Sequence, residues 1–339
     1  MKKLHRYIGL LLCGFIFCIS LTGSLLLIKK EYLWLSIPAA RASIDQSDLA
    51  SAMENIYKQY QGVVRFVQLN SQDLSIHKVF LPERNYAFHD QNGEQLRIWQ
   101  GNEAIEDWLL DLHHRFLLGN TIGLNMAGAS GLLLLPLSVI GLLLWWPYRR
   151  FWKLKISFSN TLAMARNSHT NLGVFMVLPI LLIAVTGVIL VYPAESRWLL
   201  LNGFSNNAPV PIVIKKRISA NSWQAQIDFA LREFPGAQLR WLRPENEDNA
   251  DRAIGLSQLG AWDPTGKTTL NFTDSQEVII KDARHQRISA RAVELSYPLH
   301  VGSIAFVYRL LLFIAGLALC ALSFFGFRSF CLRSFGSRR

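Results

Sequence analysis

The chain has 339 residues, of which 51% are apolar and only 17% are charged, and its formal net charge is +11. This composition excludes an ordinary soluble domain, in which about 25% of residues are charged. The basic excess lies beside long apolar runs, which is typical of membrane topology and of affinity for anionic lipid. We therefore expect membrane lipid as a partner and no nucleic acid.

Four apolar segments are long enough to cross a bilayer. We predict transmembrane helices over residues 1–28, 126–147, 169–192 and 304–325. Each contains roughly 20 apolar residues, which at about 1.5 Å per residue matches a hydrocarbon core of about 30 Å. The first segment resembles a secretory signal because Lys2 and Lys3 precede it. Its apolar core exceeds the usual length of about 7–15 residues, so we interpret it as a retained helix.

Charge predicts the orientation of these helices. The N-terminus, the loop 148–168 and the tail 326–339 together hold 12 basic residues and none of the 24 acidic ones. The positive-inside rule places all three in the cytoplasm. Residues 29–125 and 193–303 then face outwards, which is the periplasm in the case of a bacterial inner membrane.

An internal repeat relates the two halves at an offset of about 164–187 residues. The first and third helices share a His-x-x-x-Gly start and a Thr-Gly pair near the end, with identical spacings. These residues are His5, Gly9, Thr22 and Gly23 in one helix and His169, Gly173, Thr186 and Gly187 in the other. Each outer segment begins with an amphipathic helical stretch and continues with short alternating runs. The predicted fold is a membrane α-helical protein with four transmembrane helices in two parallel repeats and two periplasmic α+β domains, at 29–125 and 193–303.

Four histidines mark the membrane edges. His5 and His169 begin helices at the cytoplasmic edge, whereas His113 and His300 precede helices at the periplasmic edge. Imidazole is a common ligand of haem iron, so depth-matched pairs predict two bis-histidine haem b groups per chain. For any one of them, a snorkelling polar tip or a helix cap is the alternative. His77, His89 and His285 are interpreted as surface residues of the outer domains.

Family resemblance rests on short motifs that occur in the correct order. They are LHRYIG, DLHHRFLLGN, SHTNLG and PLHVGS, which precede or open the four helices, together with GLLLWWPYRR at the end of the second helix. With these motifs the chain resembles the PepSY-associated transmembrane family over nearly its whole length. The resemblance implies a bacterial inner membrane and PepSY-like outer domains in the periplasm. It also implies a haem-dependent reductase that moves electrons across the membrane to a periplasmic ferric siderophore and releases Fe(II).

Two positions leave alternatives open. Adjacent helical residues point about 100° apart, so only one of His113 and His114 can ligate. The family places its histidine six residues before a glycine, which favours His113 relative to Gly119 and keeps His114 as the alternative. Arg309 is a charge within an apolar run, and we expect it to contact a haem propionate or a polar cavity. A structural pairing with a backbone carbonyl is an equally favoured interpretation.

The sequence indicates less about the substrate and the electron donor than about the haem ligands. The sequence shows no GxGxxG motif after a strand and no P-loop, so a separate donor is predicted, either a quinol or a cytoplasmic reductase. No catalytic residue is assigned. Five basic and aromatic residues at the outer helix ends are candidate siderophore contacts: Lys29, Lys30, Trp34, Arg197 and Trp198. For each of them, anchoring of the helix at the membrane interface is the alternative role. The alternatives are an iron or siderophore permease component, or a non-catalytic PepSY protein that regulates a partner such as a peptidase.

Overall fold

The computed structural model describes the chain except for residues 45–46, 71–73, 152–155, 157–160, 205–212, 218–221, 247–248, 260–264, 286–287 and 336–339. The chain divides into two compact units. The helical unit consists of Met1–Ile28, Trp108–Leu199 and Leu299–Arg339. The sheet unit consists of Lys29–Asp107 and Leu200–Pro298.

The elements follow one another in a repeated order. The α-helices are α1 (Lys2–Leu27), α2 (Lys29–Ser36), α3 (Leu49–Gln59), α4 (Ile105–Arg115), α5 (Leu124–Trp145), α6 (Leu162–Val191), α7 (Pro193–Phe204), α8 (Trp223–Glu233), α9 (Ile288–His300) and α10 (Phe306–Phe335). The strands are β1 (Phe66–Gln68), β2 (His77–Phe80), β3 (Tyr86–His89), β4 (Gln95–Trp99), β5 (Val213–Arg217), β6 (Gln238–Arg243), β7 (Arg252–Ser257), β8 (Thr268–Phe272) and β9 (Glu277–Lys281).

Among the described residues, four helices are long and apolar enough to cross a membrane: α1, α5, α6 and α10. The helix α1 packs against α5 and α10, and α6 packs against the same two helices. Their shared core is apolar and consists of Leu12, Ile16, Leu137, Met176, Ile180, Ala318 and Leu319. Large apolar side chains such as Leu178 and Val307 point away from this core and are about three-quarters exposed, at 75% and 76%. Lipid is the solvent that such a surface requires, which confirms a membrane protein.

Two of the helices are longer than the hydropathy pattern predicts. The helix α6 begins at Leu162, inside the predicted loop 148–168, because the side chain of Thr161 caps it by accepting a hydrogen bond from the Met164 backbone N–H (3.2 Å). The helix α10 continues to Phe335, through most of the predicted tail 326–339. Hydropathy marks where a helix leaves the apolar layer, whereas the Thr161 cap decides where α6 begins.

The sheet unit is built on one antiparallel sheet that contains nine strands within the described residues. Its order is β4-β3-β2-β1-β6-β7-β8-β9-β5. The first outer segment contributes the meander β1–β4, and the second contributes the meander β6–β9 with β5 at its far edge. The two meanders join through antiparallel pairing of β1 with β6, where Val67 lies opposite Leu242.

This architecture differs from the prediction of two separate α+β domains at 29–125 and 193–303. The helices α3 and α8 contact each other. Residues of both segments, including Ile56, Val67, Leu242 and Ile254, share one buried core. A strand edge with unpaired N–H and C=O groups is a liability, and pairing β1 with β6 removes one such edge from each meander. The sequence shows two copies of a motif but not that their open edges meet.

A buried pair of histidines contradicts one expectation from the sequence. His77 on β2 and His89 on β3 are cross-strand neighbours, and they are 1% and 0% exposed. The Asn70 backbone N–H donates to Nδ1 of His77 (3.1 Å), and the Tyr60 hydroxyl lies 3.2 Å from Nε2 of His89. Both histidines are therefore core residues with polar partners. His285 is exposed, as predicted.

We expect this pair to make the sheet unit sensitive to acid. Burial lowers the pKa of His77 to about 4, and burial together with the neighbouring His77 lowers the pKa of His89 to about 4. In the unfolded chain a histidine titrates near 6.5, so the folded state binds fewer protons between the two values. The free energy of unfolding is therefore not reduced by this pair above about pH 6.5. It decreases by on the order of a few kcal/mol as the pH falls towards about 4.

Amide hydrogen exchange in the full-length protein measures this effect. The amides of β2 and β3 should exchange markedly faster at about pH 5 than expected from the intrinsic pH dependence of exchange alone. Replacing both residues, H77Q with H89Q, should flatten the pH response of these strands. A variant that keeps the full acid response would show that other groups cause it.

Candidate functional site

The helical unit brings the four edge histidines together as two pairs. The ring of His5 on α1 lies beside that of His169 on α6, with ring centres 6.1 Å apart and planes at 77°. The ring of His113, near the end of α4, lies beside that of His300, the last residue of α9, with centres 6.2 Å apart and planes at 44°. These are the two pairs that the topology predicts, and we call them the His5–His169 pair and the His113–His300 pair.

Hydrogen bonds to helix carbonyls orient the first pair. In His5, Nδ1–H donates to the carbonyl oxygen of Leu137 (3.2 Å), and in His169 it donates to that of Leu322 (3.0 Å). A carbonyl oxygen only accepts, so the proton of each neutral ring sits on Nδ1. The lone pair is then on Nε2, where it can bind a metal.

The second pair is held in the same way, with an additional hydroxyl. Nδ1–H of His113 donates to the carbonyl oxygen of Ile19 (2.9 Å) and lies 3.3 Å from the Thr22 hydroxyl oxygen. Nδ1 of His300 lies 3.0 Å from the Thr186 hydroxyl oxygen. Burial lowers the pKa of His113 to about 3 and that of His300 to about 4. Both rings are therefore neutral near pH 7, which is the form that ligates metal ions.

Each of the four rings rests on a glycine of a neighbouring helix. A Cβ atom on Gly23 would lie 2.8 Å from Cε1 of His113, and one on Gly187 would lie 3.1 Å from Cε1 of His300. A Cβ atom on Gly141 would lie 3.1 Å from Cε1 of His5, and one on Gly326 would lie 3.5 Å from Cε1 of His169. The absence of a side chain at these positions lets the histidine-bearing segment approach closely.

The geometry of both pairs fits haem. Metal–imidazole bonds in proteins are about 2.0–2.1 Å long and a ring centre lies about 1.1 Å beyond its nitrogen, so two imidazoles on opposite sides of one iron have centres about 6.2 Å apart. The observed separations are 6.1 and 6.2 Å. A bare metal ion usually needs three or four protein ligands, and no cluster of three or more His, Cys, Asp or Glu is found among the described residues. Haem brings four nitrogen ligands of its own.

The profile of the family described as PepSY-associated TM region matches residues 2–333. The chain belongs to this family. Among curated proteins, none matches the chain significantly. The match includes all four paired histidines, so the suspected resemblance to the PepSY-associated transmembrane family is confirmed over nearly the whole chain.

In this PepSY-associated transmembrane protein, the alternative ligand His114 lies outside the pair. Its side chain is exposed, and its ring centre is 5.6 Å from that of His113. The ring whose centre lies 6.2 Å from that of His300 is the ring of His113.

Arg309 lies near the start of the last apolar span. Residues 301–305 form no helix, so α10 starts afresh at Phe306 and Arg309 lies in its first turn. Its guanidinium carbon is 5.6 Å from the ring centre of Phe306, and its backbone packs against Gly302, where φ is +67°. A glycine is required there because a Cβ atom would lie 2.8 Å from the Arg309 Cα atom. Contact with a propionate stays a prediction.

The candidate siderophore contacts do not form one cluster within either unit. Lys29, Lys30 and Trp34 lie on α2 of the sheet unit, whereas Arg197 and Trp198 lie on α7 within the helical unit. The guanidinium of Arg41, which the sequence did not single out, stacks 5.1 Å from the ring centre of Trp34.

Four partners of the His5–His169 pair were not predicted from the sequence. These are the carbonyls of Leu137 and Leu322 and the glycines Gly141 and Gly326. A signal for them exists, since Ser138-x-x-Gly141 and Ser323-x-x-Gly326 repeat in the second and fourth helices. Only the helix packing shows that a histidine lies above each of these glycines.

Proposed function

We propose that this protein is a di-haem b oxidoreductase of the inner membrane that passes electrons outward to a ferric siderophore and thereby releases Fe(II) for uptake. The observation that carries the proposal is the pair of histidine sites, with ring centres 6.1 and 6.2 Å apart and Nδ1 of each ring directed to a helix carbonyl or hydroxyl. Bis-imidazole haem supplies one-electron transfer and leaves no open iron position for oxygen chemistry.

The contacts of the four histidines support a fold of two parallel repeats. His5 contacts α5 and His169 contacts α10 through equivalent carbonyls and glycines. His113 contacts α1 and His300 contacts α6 through equivalent threonines and glycines. Each contact therefore has its counterpart in the other half of the chain. The same correspondence favours a twofold pseudosymmetry along the membrane normal.

The spacing along α1 suits transfer across the membrane. His5 lies near the start of this helix, and the carbonyl of Ile19, which binds His113, lies about 21 Å further along its axis. An apolar core that includes Leu12, Ile16 and Met176 lies among the helices that carry these two levels. The acid-free basic segments favour a cytoplasmic N-terminus. The His113–His300 pair would then be the periplasmic site, close to substrate.

The proposed substrate class follows from the chemistry of iron. Hard oxygen ligands hold Fe(III) much more tightly than Fe(II), so one-electron reduction weakens the chelate. The outer segments carry 24 acidic and 22 basic residues and have no dominant field, so local groups are expected to bind the chelate. The electrons are proposed to come from a quinol or a cytoplasmic reductase.

An optical spectrum tests the cofactor, and metal substitution in the siderophore tests the electron acceptor. The purified protein should show the sharp reduced α-bands of low-spin haem, and a colourless preparation would refute the haem assignment. Under anaerobic conditions, dithionite-reduced protein should be reoxidised by a ferric siderophore. The gallium(III) form has similar size and charge without accessible reduction, so it should leave the spectrum unchanged. Equal reoxidation by both forms would refute the reductase assignment.

A further inference from the structure

One position distinguishes the two histidine pairs. Each ring covers a glycine, and for His5, His113 and His169 the carbonyl that accepts from Nδ1–H lies four residues before that glycine, as Ile19 does before Gly23. Ile183, the backbone partner of His300, stands in the same relation to Gly187. The residue immediately before the glycine differs between the pairs. It is Thr22 or Thr186 at the His113–His300 pair and Ile140 or Phe325 at the His5–His169 pair.

The two threonine hydroxyls are oriented to accept from the histidines. The Thr22 hydroxyl donates to the Cys18 carbonyl (2.8 Å), and the Thr186 hydroxyl donates to the Leu182 carbonyl (2.8 Å). With its proton used in this way, each oxygen offers only lone pairs to the histidine Nδ1–H, at 3.3 and 3.0 Å. Both threonines are buried, so water does not compete for these contacts.

Back-bonding to a helix carbonyl is also what an ordinary threonine or serine does within a membrane helix. Ser130 is an example, since its hydroxyl donates to the Met126 carbonyl (2.8 Å). Thr22 and Thr186 differ because each also reaches a histidine ring, at corresponding places in the two halves. Helix packing alone does not explain why both threonines contact a histidine.

We propose that Thr22 and Thr186 are positioning residues that lower the reduction potential of the haem held by His113 and His300. This inference rests on the proposed function, in which these histidines ligate haem. A hydrogen bond from Nδ1–H makes an imidazole a stronger electron donor through Nε2, and a stronger donor stabilises ferric over ferrous iron. The His5–His169 pair has apolar Ile140 and Phe325 at the matching positions. The haem nearer to a ferric chelate is thereby a stronger reductant than it would be without the two threonines.

Redox titration of the full-length, haem-loaded protein tests the inference. Wild type should show two one-electron steps, and the step lost in H113A identifies the haem of the His113–His300 pair. In the variant T22V with T186V, that step should move to higher potential by about a tenfold change in the equilibrium constant, which equals about 59 mV. The other step should stay unchanged. The reciprocal variant I140T should lower the potential of the other haem.

Controls separate this role from packing. S130A removes a back-bonded hydroxyl that touches no histidine, so it should shift neither step. If the valine variant loses haem, two single substitutions at Thr22 test the inference instead. T22S keeps the hydroxyl and should keep the reduction potential, whereas T22A removes the hydroxyl and should raise the potential. Unchanged potentials in both T22A and the valine variant, or equal shifts of both steps, would overturn the inference. Failure of the proposed function itself would be seen as a wild-type protein without haem steps.

Discussion

Replacing either His5 or His169 with alanine is expected to remove about half of the bound haem, because a bis-histidine haem is lost when one axial ligand is missing. The double variant should lose no more than either single variant, since in the proposed site the two rings, with centres 6.1 Å apart, would hold the same iron. Replacing His5 together with His300 should remove all of the haem, because this combination affects both pairs. The haem-to-protein ratio, measured from the pyridine haemochrome, gives the result directly.

A matched control for these variants is H285A, which removes an exposed histidine outside the helical unit and should leave the haem content unchanged. The yield of monodisperse protein in detergent gives an independent measure of folding. If the losses caused by H5A and H113A were redundant, the two pairs would be assigned wrongly. If no single histidine variant changed the haem content, the histidines would not be the ligands.

Substitution of Gly23 by valine is expected to abolish the His113–His300 haem while leaving the His5–His169 haem bound. A Cβ atom at this position would lie 2.8 Å from Cε1 of His113, closer than unbonded carbon atoms approach, so the ring must move. Iron ligation tolerates errors of only about 0.2 Å in ligand distance. About half of the haem, assigned by its reduction potential, should therefore disappear.

Gly14 on the same helix provides the control. A Cβ atom there meets no heavy atom within 4 Å, and the residue is exposed on the apolar surface, so G14V should keep both haems. The variant G187V should cause the same selective loss through His300, because a Cβ atom on Gly187 would lie 3.1 Å from Cε1 of His300. Retention of full haem content in both G23V and G187V would contradict the proposed packing of rings on glycines.

Much of the helical unit was predictable from the sequence, for a specific physical reason. A membrane span must satisfy its backbone hydrogen bonds internally and be apolar over about 20 residues, so hydropathy alone finds it. Histidines at the ends of such spans then fall at two depths, which limits the possible pairs. His5 with His169, and His113 with His300, follow from this constraint, and the structure brings the same residues together.

The sheet unit was predictable only in part. Alternating runs and turn residues indicate strands and their order along the chain, and two copies of this pattern indicate two domains. Whether the copies stay separate depends on the edges of β1 and β6, which no local pattern describes. The burial of His77 and His89 is of the same kind, because cross-strand register and the polar partners of each ring depend on residues distant in sequence.

By itself, the sequence determined the membrane class and the four apolar spans, and it showed the two copies of the histidine, glycine and threonine motif. These properties depend on composition, on helix length and on spacings within one segment. The tertiary structure decided which carbonyl binds each ring, which of His113 and His114 faces His300, and that Gly141 and Gly326 lie beneath two of the rings. It also decided that Thr22 and Thr186 touch histidines while Ile140 and Phe325 occupy the matching places. These features depend on how neighbouring helices pack, because a contact of about 3 Å between side chains far apart in sequence leaves no periodic signal in either segment.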